Sequence, residues 1–153
     1  MSGQELVKTV FLEKWENSKI YLTKVAQAMP EDKYNFKPTE REMSFTKQIQ
    51  HICENMLWLS KSYISDNNSK EINTKVSSKK ELLELIELSF SASADNVNQI
   101  SDKNLSEKVD FFAGEKNKLQ ILNLMQDHVT HHRGQLIVYL NLNGIKPPRY
   151  TGW

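Results

Sequence analysis

Apolar residues recur at helical spacing through four long stretches of this chain, and no other pattern in it competes with that one. The first stretch runs from about Gln4 to Ala28, with Val7, Phe11, Trp15, Leu22 and Val25 on one face, and stops before Pro30. The second follows Ser44, a suitable N-cap, and carries Phe45, Ile49, Ile52, Met56, Leu59 and Tyr63 to about Ile64; Asp66-Asn67-Asn68-Ser69-Lys70 ends it. The third begins near Ser77 or Ser78, where Glu81 three residues after Ser78 makes a capping box, and reaches about Ile100. Its centre, Ser91-Ala92-Ser93-Ala94, is small enough for a neighbouring helix to come close. The fourth starts near Asn117 and ends at Gly144, just ahead of Pro147-Pro148.

The connections are informative as well. The segment Met29 to Pro38 holds Pro30 and Pro38 but also Tyr34 and Phe36, so it is expected to be an ordered loop lying against the helices. Between Leu105 and Glu115 the alternation of Val109 and Phe111 before Ala113-Gly114 reads as extended and loop-like, with no convincing strand. The expected architecture is all-α, a four-helix bundle, either up-and-down or with a crossover. At 153 residues the chain is expected to form a single domain, residues 1–153, with a core that needs no staples.

Charge and cysteine usage narrow the function classes. Twenty basic against nineteen acidic side chains leave a formal net charge of +1, no field for a phosphate backbone or an anionic lipid surface. Neither nucleic acid nor membrane is an expected partner, and no apolar run approaches the ~20 residues of a membrane span. The lone Cys53 excludes an intramolecular disulfide, and Met1-Ser2-Gly3-Gln4-Glu5 lacks a basic-then-apolar signal pattern, so the expected setting is cytoplasmic.

The chemistry concentrates in the fourth stretch. Three of the four histidines fall within Asp127-His128-Val129-Thr130-His131-His132-Arg133-Gly134-Gln135. At about 100° per residue, His132 lies at about +40° from His128, while Ile121 and Tyr139 lie at about +20°, Leu124 and Leu142 at about −40°, and Met125 at about +60°. This places His128 near the centre of a buried stripe, with His132 beside it at i,i+4 spacing, Gln135 pointing the same way, and His131 on the shoulder as a supporting or interfacial residue. Two imidazoles one turn apart on a helix make half of a metal site.

The second stretch supplies the complement. His51 shares a face with Gln48, Asn55 and Trp58, a polar strip beside the apolar one whose members must find partners. A divalent ion held by His51, His128 and His132 would satisfy all three rings, and three histidines with a fourth position open is the arrangement of catalytic zinc sites. The bland alternatives are a hydrogen-bonded structural role for His51 and a small core residue for Cys53. Gly134 implies a close backbone approach by another helix or a second subunit, since glycine inside a helix costs about 1 kcal/mol against alanine. Arg133 points away from the histidines and reads as a surface or interface charge. Trp15 and Trp58 read as packing residues, whereas Trp153 is either frayed or docked.

With these residues in hand, the chain resembles the DinB-like (DinB/YfiT) superfamily of four-helix metal-binding proteins. The carriers are Tyr34-Asn35-Phe36-Lys37-Pro38, the segment His51 to Trp58, the run His128 to Leu136, and Asn143-Gly144-Ile145-Lys146-Pro147-Pro148. The resemblance implies a divalent ion, commonly nickel or zinc, on His51, His128 and His132, and a homodimer. It further implies a transferase that moves a low-molecular-weight thiol, such as bacillithiol or mycothiol, onto an electrophile, the metal lowering the thiol pKa. A metal-dependent hydrolase is the second expectation, with Glu54 and Asp127 the nearest carboxylates, and a non-catalytic metal-stabilised stress-response or binding protein is the third.

Overall fold

The computed structural model describes residues 5–65 and 71–153. The start of the first helical stretch at Gln4 and the terminating stretch Asp66 to Lys70 lie outside the described residues. Four helices pack together: α1 (Leu6–Ala28), α2 (Phe45–Leu59), α3 (Lys79–Asn98) and α4 (Lys118–Leu142). The last turn of the second helix, Ser60–Ile64, widens into π geometry, so the helix continues to Ile64 as expected but not as one uniform α-helix. Buried Ser60 meets Ser93 and Asn96 of α3 there, which is where the small centre of α3 admits its neighbour.

Local chemistry sets the helix ends. Ser44 accepts from the Lys47 backbone N–H, Ser78 and Glu81 close a capping box, and Asn117 with Gln120 closes another. At the far end of α4, Gly144 adopts φ +69°, while its N–H and that of Ile145 donate to the carbonyls of Asn141 and Leu140. Those paired bonds are a Schellman stop, which requires the left-handed conformation that glycine alone enters cheaply.

The arrangement is not a simple up-and-down bundle: two of its three connections join diagonal helices, and the third joins parallel neighbours. Around the ring, α1 packs on α3, α3 on α2, α2 on α4 and α4 on α1, so consecutive helices α1 and α2 are diagonal, as are α3 and α4. The bonds fix the directions. Lys8 reaches Ile100 while Lys79 reaches Gln27 and Met29, so α1 and α3 are antiparallel. Ser18 meets Gln126 and Tyr21 meets Arg133, so α1 and α4 run parallel. The connection from α2 must therefore return along the bundle before α3 begins, and Gln50 of α2 holds the carbonyls of Thr74 and Val76 on that return.

The loop between α1 and α2 is ordered, as its aromatics implied. Tyr34 is buried and donates its hydroxyl to the Ala26 carbonyl, and Phe36 meets Tyr139 edge-on at 5.8 Å. The segment before α4 departs from the sequence reading. It contains two short antiparallel strands, β1 (Lys108–Val109) and β2 (Lys116–Asn117), in register Lys108 with Asn117 and Val109 with Lys116. Two residues a side are too few to produce a strand signal in the sequence. The core is built from Trp15, Phe45, Phe90, Leu22, Met29, Ile49 and Ile52, with Trp15 donating its indole N–H to the Phe90 carbonyl. Cys53 belongs to it, fully buried, and burial pushes its thiol up to about 12.

Candidate metal site

α2 and α4 run antiparallel, which brings residues 48 and 51 opposite residues 135–139 and 128–132. His51, His128 and His132 meet there, each offering one nitrogen, with those nitrogens all within 4.8 Å of one another. The Nε2 atoms of His51 and His128 face each other at 3.1 Å. Two ligands held at about 2.0–2.1 Å from one ion stand about 2.8–3.4 Å apart at angles between 90° and tetrahedral, so this separation suits a shared cation.

The surroundings fix one ring in the state a metal requires. His132 is buried, and its Nδ1 lies 2.6 Å from Gln48 Oε1. An amide oxygen only accepts, so Nδ1 carries the proton and Nε2 is left with its lone pair. Gln48 is itself held: its amide nitrogen donates to Gln135 Oε1 and, at 3.1 Å, to the Tyr139 hydroxyl, which donates onward to the Met43 carbonyl at 2.8 Å. Gln135 in turn meets exposed His131 at Nε2, 3.0 Å away. His131 thus supports the network from its shoulder position and does not join the trio. Such partners orient ligating histidines and raise their basicity.

Burial pulls His128 and His132 down to about 4, with the neighbouring imidazoles adding to the effect in each case. Both rings are therefore neutral at physiological pH, with lone pairs available for a cation. The Nδ1 of His128 is sealed from solvent without a partner, so this ring's available nitrogen is the Nε2 that faces His51.

Three placements differ from the sequence reading of α4. The buried residues Ile121, Leu122, Met125, Gln126, Val129, His132, Arg133, Leu136, Tyr139 and Leu140 span about +20° to +160° from His128 on the helical wheel. The buried arc is thus centred on Val129 and Leu136, and His128 sits at its rim, half-buried, while Leu124 and Leu142 are exposed. α4 is wedged between both α1 and α2, and the flank facing α1 carries the polar residues Gln126 and Arg133 that obscured its apolar character. The same rotation buries Arg133. Its guanidinium stacks on Tyr21 of α1 at 4.7 Å, where burial lowers its pKa and Nη1 has no hydrogen-bond partner. It is not a surface charge. Gly134 faces open space, where a Cβ would meet nothing within 4 Å, so no helix among the described residues requires a glycine there.

Other candidates are set apart. Glu54 is exposed and accepts from the Thr74 hydroxyl, and Asp127 is exposed; neither joins the histidine cluster. Trp15 packs as expected. Trp58 is 42% exposed and stands with Tyr63, Phe111 and Phe112, so it is not a core residue. Trp153 is exposed, its backbone carbonyl accepting from Asn17. The sequence reading missed the role of Gln48 as the partner of His132; its only signal was a polar residue one turn before His51 on the same face.

A four-helix fold with a histidine from α2 and an i,i+4 histidine pair from α4 at one point defines a class of helical proteins able to hold a divalent cation. The DinB family model matches residues 1–153, and the chain belongs to the DinB family. It is 23% identical over 124 residues to the uncharacterized protein YjoA of Bacillus subtilis (strain 168), covering 78% of this chain and 80% of that protein. Among solved structures, a DinB-like protein from Bacillus cereus ATCC 10987 superposes with TM-score 0.78 at 20% identity, covering 92% of this chain and 95% of that one. YjoA itself gives TM-score 0.74 at 21% identity over 92% of this chain and 97% of its own. A putative DinB family member from Exiguobacterium sibiricum 255-15 gives 0.74 at 13% identity over 99% and 100%. At these identities the likeness is one of fold. No helix of the described residues is long and apolar enough to cross a membrane.

Proposed function

We propose that this protein is a divalent-metal-dependent transferase that joins a low-molecular-weight thiol of the bacillithiol type to an electrophile, with His51, His128 and His132 as the ligands of nickel or zinc. The observation that carries this reading is the composition of the cluster: three imidazoles and, among the described residues, no carboxylate or thiolate. Neutral ligands leave a divalent ion its full charge, which favours an anion in the open position. A bound ion of this kind supplies one piece of chemistry, a lowered pKa for the small thiol beside it.

The chain's own residues supply the rest. Gln48 holds His132 in the tautomer that leaves Nε2 free, while His51 and His128 at the rim leave an approach from solvent. Cys53 does not serve as the nucleophile, because its thiol is buried and raised to about 12, so the sulfur must come from a second molecule. Hydrolysis is less well supported, since it needs a base at the reacting water and both Glu54 and Asp127 lie outside the cluster. The same reading takes the chain as a homodimer, with Gly134 and exposed Val138 and Leu142 on the outward side of α4.

The test is conjugation of monochlorobimane, in which the thiolate sulfur forms a C–S bond and chloride leaves. Turnover is expected only with both thiol and metal present, and His132→Ala is expected to abolish it together with stoichiometric metal binding. Thiol-independent ester cleavage, or metal retained at full affinity in His132→Ala, would overturn the proposal.

A further inference from the structure

The hydrogen bonds behind His132 end in two places, and the ends differ in kind. From His132 Nδ1 they pass to Gln48 and there divide, one branch running through Gln135 to His131 and the other through Tyr139 to the Met43 carbonyl. A carboxamide has a donor end and an acceptor end of nearly the same shape, so Gln48 or Gln135 can turn over in place, and an imidazole can carry its proton on either nitrogen. A branch built only from such groups reads equally well in both directions. The His131 branch is of that kind. With both amides turned over, His131 would donate to Gln135, Gln135 to Gln48, and Gln48 to an unprotonated His132 Nδ1, with no bond lost along it. The proton of His132 would then sit on Nε2, where the cation must bind.

The other branch cannot be reversed. It ends on a backbone carbonyl, which has no proton to give, so the Tyr139 hydroxyl donates to Met43 at 2.8 Å. That uses the hydroxyl's one proton, and toward Gln48, 3.1 Å away, it can only accept. The end of Gln48 that meets Tyr139 is therefore its NH2 group, and the end that meets His132 is its oxygen. Were Gln48 turned over, two acceptors would face each other or the bond to Met43 would break. Solvent does not relieve that mismatch, because Gln48 is 1% and Tyr139 3% exposed, and a polar group left unpaired under such burial is costly.

We propose that Tyr139 is a positioning residue for the metal: it passes the polarity of the Met43 carbonyl through Gln48 and so keeps the His132 proton on Nδ1 and Nε2 open to the cation. The inference rests on the three-histidine site holding a metal. The Tyr139 ring has a separate packing role, edge-on to Phe36 at 5.8 Å, and Tyr139→Phe keeps that contact while removing the hydroxyl.

The state of His132 can be read with no metal present. In the full-length, metal-free protein with isotope-labelled histidine, proton–nitrogen correlation spectra at neutral pH should show His132 protonated at Nδ1 alone. Tyr139→Phe should add a population with the proton on Nε2, and Gln135→Leu, which removes only the reversible branch, should not. In zinc titrations against a chromophoric chelator, Tyr139→Phe should weaken binding by about tenfold and Gln135→Leu by about twofold or less. Gln48→Glu offers an acceptor at both ends, so in that background Tyr139→Phe should cost about twofold or less. If His132 stays protonated at Nδ1 alone in Tyr139→Phe, or if Gln135→Leu matches its effect, the proposal fails. An equal loss of zinc affinity in the Gln48 and Gln48→Glu backgrounds would give Tyr139 a purely structural role and overturn it as well. If Tyr139→Phe moves the His132 proton but the unaltered protein takes up no zinc, the metal reading fails while Tyr139 stands as the group that orients Gln48.

Discussion

His132 and Arg133 are consecutive residues on α4, both buried, and they solve opposite problems. On the flank facing α2, His132 finds Gln48, Gln48 finds Gln135 and Tyr139, and Tyr139 finds the Met43 carbonyl. Every polar group in that sequence has a complement. On the flank facing α1, Arg133 lies over the ring of Tyr21 with Nη1 unpaired. The first flank is a set of donors and acceptors arranged to present one lone pair; the second is a buried cation supported by the face of an aromatic ring. A buried polar residue on a helix thus carries functional meaning only when its partners are seen.

The largest expected break in that comparison comes from acid. His128 and His132 are held at about 4 in the folded chain, against an ordinary 6.5, chiefly by burial. The unfolded chain therefore binds more protons than the folded one between those values. Stability is full above about 6.5 and drains as pH falls through the window, with unfolding taking up as many as two protons. Thermal melts of the metal-free protein from pH 7 to 4 should show a falling midpoint over that range, and metal release should track it because protons compete for the same nitrogens.

Next is Gln48→Leu, which removes the acceptor of the His132 Nδ1 proton while keeping bulk. It should weaken metal binding by about 10–100-fold, measured by competition with a chromophoric chelator, and Gln48→Glu should restore most of that loss. The other flank should respond in stability alone. Arg133→Met replaces an unpaired buried cation with an apolar side chain of similar length and should be neutral or stabilising by up to about 4 kcal/mol in chemical denaturation, with metal affinity unmoved. If Arg133→Met reduced metal affinity, the two flanks would be coupled and the contrast would collapse. The smallest effect belongs to a control touching neither flank: Gly144→Ala, at φ +69°, should cost about 1 kcal/mol, or about 2–4 °C in Tm.

The elements themselves were readable because their signals are local. Ser44, Ser78 with Glu81, and Asn117 announce helix starts, and Gly144 a stop, through bonds that span five residues or fewer. The i,i+4 pair His128 and His132 was equally visible, and His51 stood out as a polar residue beside an apolar stripe. Packed between α1 and α2, α4 buries a wide arc centred on Val129 and Leu136, so a single stripe centred on His128 puts Leu124 and Leu142 inside, where they are exposed, and Arg133 outside, where it is buried. The strand pair before α4 is too short to register in the sequence, and the spacing that makes Trp58 a packing residue says nothing of its partners, Tyr63, Phe111 and Phe112, or of its exposure.

The sequence by itself determined the helices, their ends and the identity of the residues able to hold a cation, since periodicity and capping are properties of neighbours along the chain. Only the tertiary structure decided that α2 and α4 run antiparallel with residues 51 and 128 in register and that Gln48 rather than any carboxylate stands behind His132. Those facts depend on how two helices separated by most of the chain are set against each other. That is settled by the packing of the whole core and by no segment within it.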